Sequence, residues 1–257
     1  MEETPNKKMR DKEVIVVLIV ALAFMWSGFY LSYQPDPLKL ASQIKTEEVD
    51  TEQIRVAEAK QKFFNNLDLE ARAYIVYNPE TGEIIARQNE KKILPLASLT
   101  KIMTVLAASD ELGPQTKVTI NKDVEGNISG LRKGESWQMA NLAALTLVGS
   151  SNEGAIALAE AATTSAGALV LLMNQKAKEL QLKSFTFNNP TGLDDGPLPG
   201  GRGSALDVAK LFTYVLKNKP ELLAATNKTV ITEESTDGFE HTIINTNKII
   251  NQIPGIL

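Results

Sequence analysis

Twenty consecutive residues without a charge, Val14 to Tyr33 (VIVVLIVALAFMWSGFYLSY), constrain this chain more than any other feature. A helix of that length, rising about 1.5 Å per residue, spans the hydrocarbon core of a bilayer. Trp26, Tyr30 and Tyr33 gather toward its far end, where amphipathic rings favour a membrane–water interface. Lys7, Lys8, Arg10 and Lys12 precede it, a bias that keeps an N-terminus cytoplasmic and exports the downstream chain. A cleavable signal peptide is the competing reading, but its apolar region is ordinarily shorter and ends at a small-residue site. The one such triplet, Ala21-Leu22-Ala23, lies inside the apolar run. The expectation is a cytoplasmic tail at 1–13 and an uncleaved transmembrane anchor at 14–33. Everything beyond is then held on the extracytoplasmic side of the cell membrane.

Residues 34–69 begin Gln34-Pro35-Asp36-Pro37 and stay polar and charged, which fits a juxtamembrane spacer. Its second half, Val49 to Leu69, carries a helical pattern through Ile54, Val56, Ala57, Ala59, Phe63 and Phe64. Residues 70–257 form the candidate globular domain. With 43% hydrophobic and 23% charged residues, the chain has enough apolar material to bury a core. A net charge of −4 provides no basic field for nucleic acid. Cysteine is absent and His241 is the single histidine, which removes thiol nucleophiles, disulfides and Cys-ligated metals together. Little is left for an imidazole-based triad, so a nucleophile here needs another base.

Arg72–Asn78 and Glu83–Gln88, around Pro79-Glu80-Thr81-Gly82, read as a β-hairpin. Helical periodicity continues over Ser98–Leu112, stopping at Gly113-Pro114. Asn141–Val148 is a short apolar helix, and Glu153–Ala162 a second one with Asn152 as its cap. Leu169 to Leu180 is amphipathic, and Ser204-Ala205-Leu206-Asp207 reads as a capping box opening a further helix. The fold class is therefore α+β: a strand hairpin and a mostly helical body. A lone two-stranded hairpin is marginal in water, so the sheet calls for more strands than the chain displays.

Two motifs carry chemistry. Ser98 and Lys101 in LASLTKIMT lie three residues apart, which places them on one helical face. A serine hydroxyl needs a base, and a lysine serves once burial lowers its pKa toward neutrality. The plain alternative is a capping serine beside a solvated lysine, and Ser42-Gln43-Ile44-Lys45 has the same spacing in the spacer. The second motif, Ser150-Ser151-Asn152, offers a hydroxyl and an amide able to relay a proton and hold a substrate amide. Alone, it reads equally well as a polar turn between helices.

Taken jointly and in order, ARAYIVYNPETGEIIARQNEKKILPLASLTKIMT, SGLRKGES, LVGSSNEGAIALAE, FNNPTGLDD, GSALDVAKL and HTIINTNKII extend the case over about residues 70 to 257. In these stretches the chain resembles the low-molecular-mass penicillin-binding proteins, the serine D-alanyl-D-alanine carboxypeptidases. The resemblance implies an antiparallel sheet flanked by a helical region. It also implies Ser98 as acyl-enzyme nucleophile, Lys101 as its base, Ser150 as proton relay to the leaving amine, and Asn152 as the contact to a peptide or β-lactam amide. The substrate would be a peptidoglycan stem peptide ending in D-Ala-D-Ala, with β-lactams as inhibitors and no metal or organic cofactor. The family's K-T-G is not in these 257 residues; Lys248 is followed by Ile249. The resemblance places that motif just past Leu257, so the expectation is a chain truncated before it, with an incomplete sheet. A non-catalytic peptidoglycan-binding or regulatory relative is the rival reading. A β-lactamase ranks lower, since Asn188–Asp195 contains no glutamate to activate a deacylating water.

The remaining features read as structural. Asp194 and Asp195 belong to a solvated turn, and Pro197–Gly203 (PLPGGRG) to a flexible connection lacking the context of a phosphate loop. His241 is expected at the start of a strand or turn. Asn127-Ile128-Ser129 and Asn227-Lys228-Thr229 are glycosylation sequons by pattern only.

Overall fold

The computed structural model describes residues 69–123, 130–163, 165–250 and 252, with scattered residues between 38 and 63. Run 14–33, the Ser42/Lys45 pair and the Asn127 sequon lie outside the described residues. The chain divides into two compact units, Met1–Lys62 and Phe63–Leu257. In the first, the described residues 38–39, 51–52, 54–56, 58–59 and 62 are helical, in keeping with the pattern read in the spacer. Among the described residues no single helix is long and apolar enough to cross a membrane.

The second unit has mixed helix and sheet. The expected hairpin forms from β1 (Tyr74–Tyr77) and β2 (Ile84–Gln88), with Gly82 at φ +77° closing the turn that leads into β2. After β3 (Leu94–Pro95) and a 3-10 turn at Ala97–Leu99 comes α1 (Thr100–Glu111). β4 (Lys117–Thr119) pairs with β5 (Ser136–Gln138), which runs into α2 (Met139–Val148) and α3 (Asn152–Ala162). α4 (Ala166–Glu179) and β6 (Thr186–Phe187) come next, then β7 (Gly201–Gly203) and α5 (Ala205–Asn218). A last hairpin joins β8 (Val230–Glu234) to β9 (Glu240–Ile244). All described strand pairs are antiparallel, in four small sheets.

Helix α1 organises the interior. Every residue from Thr100 to Ala108 is buried. Val105 and Ala108 pack with Trp137, Leu142 and Leu145, while Met103 and Leu106 pack with Leu169, Met173, Leu211 and Val215. Along this buried run a polar side chain is largely withdrawn from water, and Lys101 is on it.

Two sequence readings are corrected. Pro197–Gly203 is not merely a flexible connection: its end is β7, the central strand of a β3–β7–β6 sheet. Glycine is needed there because a Cβ at Gly201 would strike the Thr100 hydroxyl, and one at Gly203 would strike the Phe185 ring. The cap of α3 is Ser151, whose hydroxyl accepts from Gly154 N, and not Asn152. The Ser204 cap is found, with its hydroxyl accepting from Asp207 N at 3.2 Å. Asp207, however, turns its carboxylate to Ser184 N and Oγ at 2.8 and 2.7 Å, bracing β6's approach to α5.

Three helices are also tied at one end through Asp110. Lys176 of α4 lies 2.7 Å from it, and Lys219, at the end of α5, reaches both Asp110 and the Ser109 carbonyl. Burial alone would raise the Asp110 pKa, but hydrogen bonds from the two lysines hold it below the usual carboxylate value. The Asp110 bond in turn raises that of Lys176. The ion-pair contribution is therefore present above the unfolded carboxylate pKa and is lost as pH falls through the lower folded value. Because the group is partly solvated, Asp110→Asn is expected to cost only about 1 kcal/mol, a fall of roughly 2–4 °C in melting temperature. Thermal unfolding at pH 7 checks this, and the difference from the parent should vanish at strongly acidic pH.

Candidate active site

The nucleophile candidate sits at a strained junction. Ala97, just before Ser98, holds φ +47°, a left-handed conformation unfavourable for a residue with a Cβ. Leu96 N is bonded to Gly201 O on one side, and α1 begins on the other. Ser98 is consequently exposed at the mouth of a cleft, while Lys101, one turn on, is only 1% exposed.

The structure brings three of the four residues expected from sequence into one hydrogen-bonded cluster. Lys101 Nζ donates to Ser98 Oγ at 3.1 Å, and Ser150 Oγ donates to Ser98 Oγ at 2.8 Å. Ser150 also lies on a left-handed turn, φ +57°, between α2 and α3. Burial drives the Lys101 amine down to about 8, against the upward pull of the Glu153 carboxylate from α3. The solvated lysine is thereby ruled out. Asn152, the fourth residue, heads α3, and its Oδ1 is buried with no hydrogen-bond partner. With Ser151 taking the cap, the Asn152 amide is not spent on the helix end.

A cleft of about 560 Å³ opens over Ser98, Lys101 and Ser150, with Asn245, Thr246 and Asn247 on its wall. That wall is tied to the Ser150 turn, since Thr246 N donates to Val148 O at 3.1 Å. Gly149 makes the approach possible, because a Cβ there would meet Ile243 at 2.6 Å. A larger, apolar groove of about 840 Å³ adjoins it between β1 and α5, lined by Tyr74, Val208, Phe212 and Leu216. It contains none of the reactive side chains, so the smaller cleft is the one that matters for chemistry.

A serine–lysine–serine cluster at the mouth of a cleft is equipped for acyl transfer. A family model for D-alanyl-D-alanine carboxypeptidases matches residues 56–255, most of the chain. The chain belongs to that family. It is 31% identical over 196 residues to the D-alanyl-D-alanine carboxypeptidase DacF of Bacillus subtilis, covering 73% of this chain and 49% of that protein. Among solved structures it is similar to a D-alanyl-D-alanine carboxypeptidase of Mycobacterium tuberculosis, with a TM-score of 0.66 and 28% identity over 74% of this chain and 71% of that one. It is also similar to penicillin-binding protein D2 of Listeria monocytogenes in its ampicillin-bound form, with a TM-score of 0.62 and 30% identity over 73% of this chain and 77% of that one. The chain spans about half the length of the curated relatives it matches.

Family membership does not by itself reveal the support behind the cluster. Thr191 presents its backbone carbonyl to Lys101 Nζ at 2.9 Å. Thr104 Oγ1 donates to the Pro190 carbonyl at 2.7 Å, fixing the same loop to α1. Gly192 (φ +81°) lies so close to the Ala97 carbonyl that a Cβ would overlap it. In sequence, Asn189-Pro190-Thr191-Gly192 signals a turn. Nothing in the sequence says that this turn rests on a lysine ninety positions earlier.

Proposed function

We propose that the chain is a membrane-anchored, outward-facing serine D-alanyl-D-alanine carboxypeptidase that trims peptidoglycan stem peptides and is acylated by β-lactams. The observation that carries it is the position of Ser98 Oγ, between a buried lysine amine at 3.1 Å and the Ser150 hydroxyl at 2.8 Å, at the mouth of a cleft. Neutral Lys101 takes the Ser98 proton, and Ser98 Oγ attacks the carbonyl carbon between the two terminal D-alanines. The tetrahedral intermediate collapses, breaking the C–N bond, while Ser150 gives its proton to the departing amine and regains one from Lys101, which returns to the neutral amine. D-Alanine leaves, and water then hydrolyses the ester on Ser98. Asn152 holds the amide of the penultimate residue through the Oδ1 that has no internal partner.

The two Lys-Thr pairs, Lys45-Thr46 and Lys228-Thr229, are followed by Glu47 and Val230, so no K-T-G is present in the 257 residues to grip the substrate carboxylate. We place the β1–β2 hairpin at one side of a larger antiparallel sheet, a reading supported by the apolar groove beside β1. The uncharged run at 14–33 and the cations before it support a single-pass anchor, with 34–69 as spacer and 70–257 as the peptidase domain.

Incubating the intact protein with a stem pentapeptide ending in D-Ala-D-Ala is expected to release one D-alanine per peptide and leave the tetrapeptide. Chromatography of the products checks this. Intact pentapeptide, together with no covalent penicillin adduct, would reject the reading in favour of a non-catalytic relative.

A further inference from the structure

The proposed chemistry leaves open what aims the Lys101 amine. An ammonium has three hydrogens and no lone pair, whereas the neutral amine that acts as base has two hydrogens and one lone pair. To accept the Ser98 proton, that lone pair must face Ser98 Oγ, so the N–H groups must be engaged elsewhere. The Thr191 carbonyl, 2.9 Å from Nζ, accepts one of them and so fixes the amine's rotation. Thr191 is itself buried, so the loop's own bonding decides where the carbonyl points.

That bonding converges on one side chain. Asn189 Oδ1 accepts from Thr191 N at 3.1 Å, Thr191 Oγ1 at 3.0 Å and Gly192 N at 2.8 Å. Its Nδ2 donates to Leu193 O at 2.7 Å. The Asn189 backbone is anchored in turn, with its N–H on Gly200 O at 3.2 Å at the entry to β7. Four hydrogen bonds from one half-buried amide thus set the peptide planes around Thr191. Asn189 does not contact Ser98 in any bond the structure shows.

We infer that Asn189 is a positioning residue: by fixing the Thr191 carbonyl, it orients the Lys101 amine toward Ser98 and sets the pH at which that amine loses its proton. This rests on the carboxypeptidase reading only for its catalytic consequence. The hold on Lys101 is a property of the fold. The charged group otherwise acting on Lys101 is Glu153 of α3, which remains in place in both variants below.

Two variants separate this role from simple support. In Asn189→Ala the Thr191 carbonyl loses its fixed aim, so the ammonium loses an acceptor and the Lys101 pKa falls. Asn189→Asp keeps an oxygen for the three donors and adds a negative charge, so the Lys101 pKa rises. The primary readout is the Lys101 13Cε titration by NMR in the folded protein, which needs no activity. The second is the pH profile of acylation by a fluorescent penicillin. The expected result is opposite movement of the titration midpoint in the two variants. The alanine variant should also acylate roughly 10²-fold more slowly at high pH, the cost of a misplaced group. Should Asn189→Ala not fold, Asn189→Ser, which removes the same amide without adding charge, takes its place and should lower the midpoint likewise. Midpoints unmoved from the parent in the folded variants would overturn the inference, even if rates fell, because a structural defect lowers acylation equally at every pH. A moving Lys101 titration with acylation indifferent to it would leave the positioning role standing and reject the catalytic one.

Discussion

Substituting Ser98 by alanine is expected to reduce covalent labelling by a fluorescent penicillin to background, with the fold and melting temperature preserved. Ser98 Oγ is the oxygen to which both Lys101 Nζ and Ser150 Oγ donate, so removing it leaves an amine and a hydroxyl with no nucleophile between them. Ser98 is exposed, so the loss of one hydroxyl creates no buried cavity and stability changes little. Gel fluorescence after denaturation measures the adduct, and labelling equal to the parent would remove Ser98 from the mechanism. The parent's labelling rate has its own signature. Lys101 works as a base only when neutral, and its pKa is about 8. The rate should therefore rise close to tenfold per pH unit below that value and level off above it. A rate independent of pH between about 6 and 9 would mean that Lys101 is not the base.

The second large effect is Gly192→Ala. Two costs add at this position. Its φ of +81° disfavours any residue with a Cβ, and the new methyl would overlap the Ala97 carbonyl and press within 2.9 Å of Thr100 Oγ1. The overlapped group is backbone belonging to the turn that aims Ser98, so it cannot rotate aside. The expected loss is roughly 3–5 kcal/mol, a drop of about 10 °C in melting temperature, and at least a roughly 10²-fold slower acylation where the protein still folds. Gly134→Ala is the control. Gly134 also has a positive φ, +96°, but no atom lies within 4 Å of its added Cβ. It should lose only about 1 kcal/mol and acylate normally. Equal effects of the two substitutions on acylation would mean that conformation alone matters, and that the contact with Ala97 does not support the nucleophile.

Several elements were legible in sequence because their physics is local. The β1–β2 hairpin comes from β-rich runs around a Pro/Gly turn, and the helices come from 3.6-residue periodicity with stops at Gly113-Pro114 and the Gly149 turn. Local patterns failed where packing decides. Pro197–Gly203 looked like a flexible connection, yet β7 is a central strand whose glycines exist to admit Thr100 and Phe185. Asn152 looked like a cap because Asn and Ser both cap helices well, and only the folded turn shows that Ser151 took the role.

On its own, the sequence determined that Ser98 and Lys101 share a helical face, because a spacing of three residues does so in any helix. It determined equally that an imidazole or thiol mechanism has almost nothing to work with. Tertiary structure alone decided that this serine–lysine pair is chemically competent. The first nine residues of α1 are buried, so Lys101 is largely desolvated and its amine brought within reach of neutrality. The turn at Ser150 and the Thr191 carbonyl then meet that pair from 52 and 90 residues away. Such contacts depend on how separate segments pack, and no local pattern encodes them.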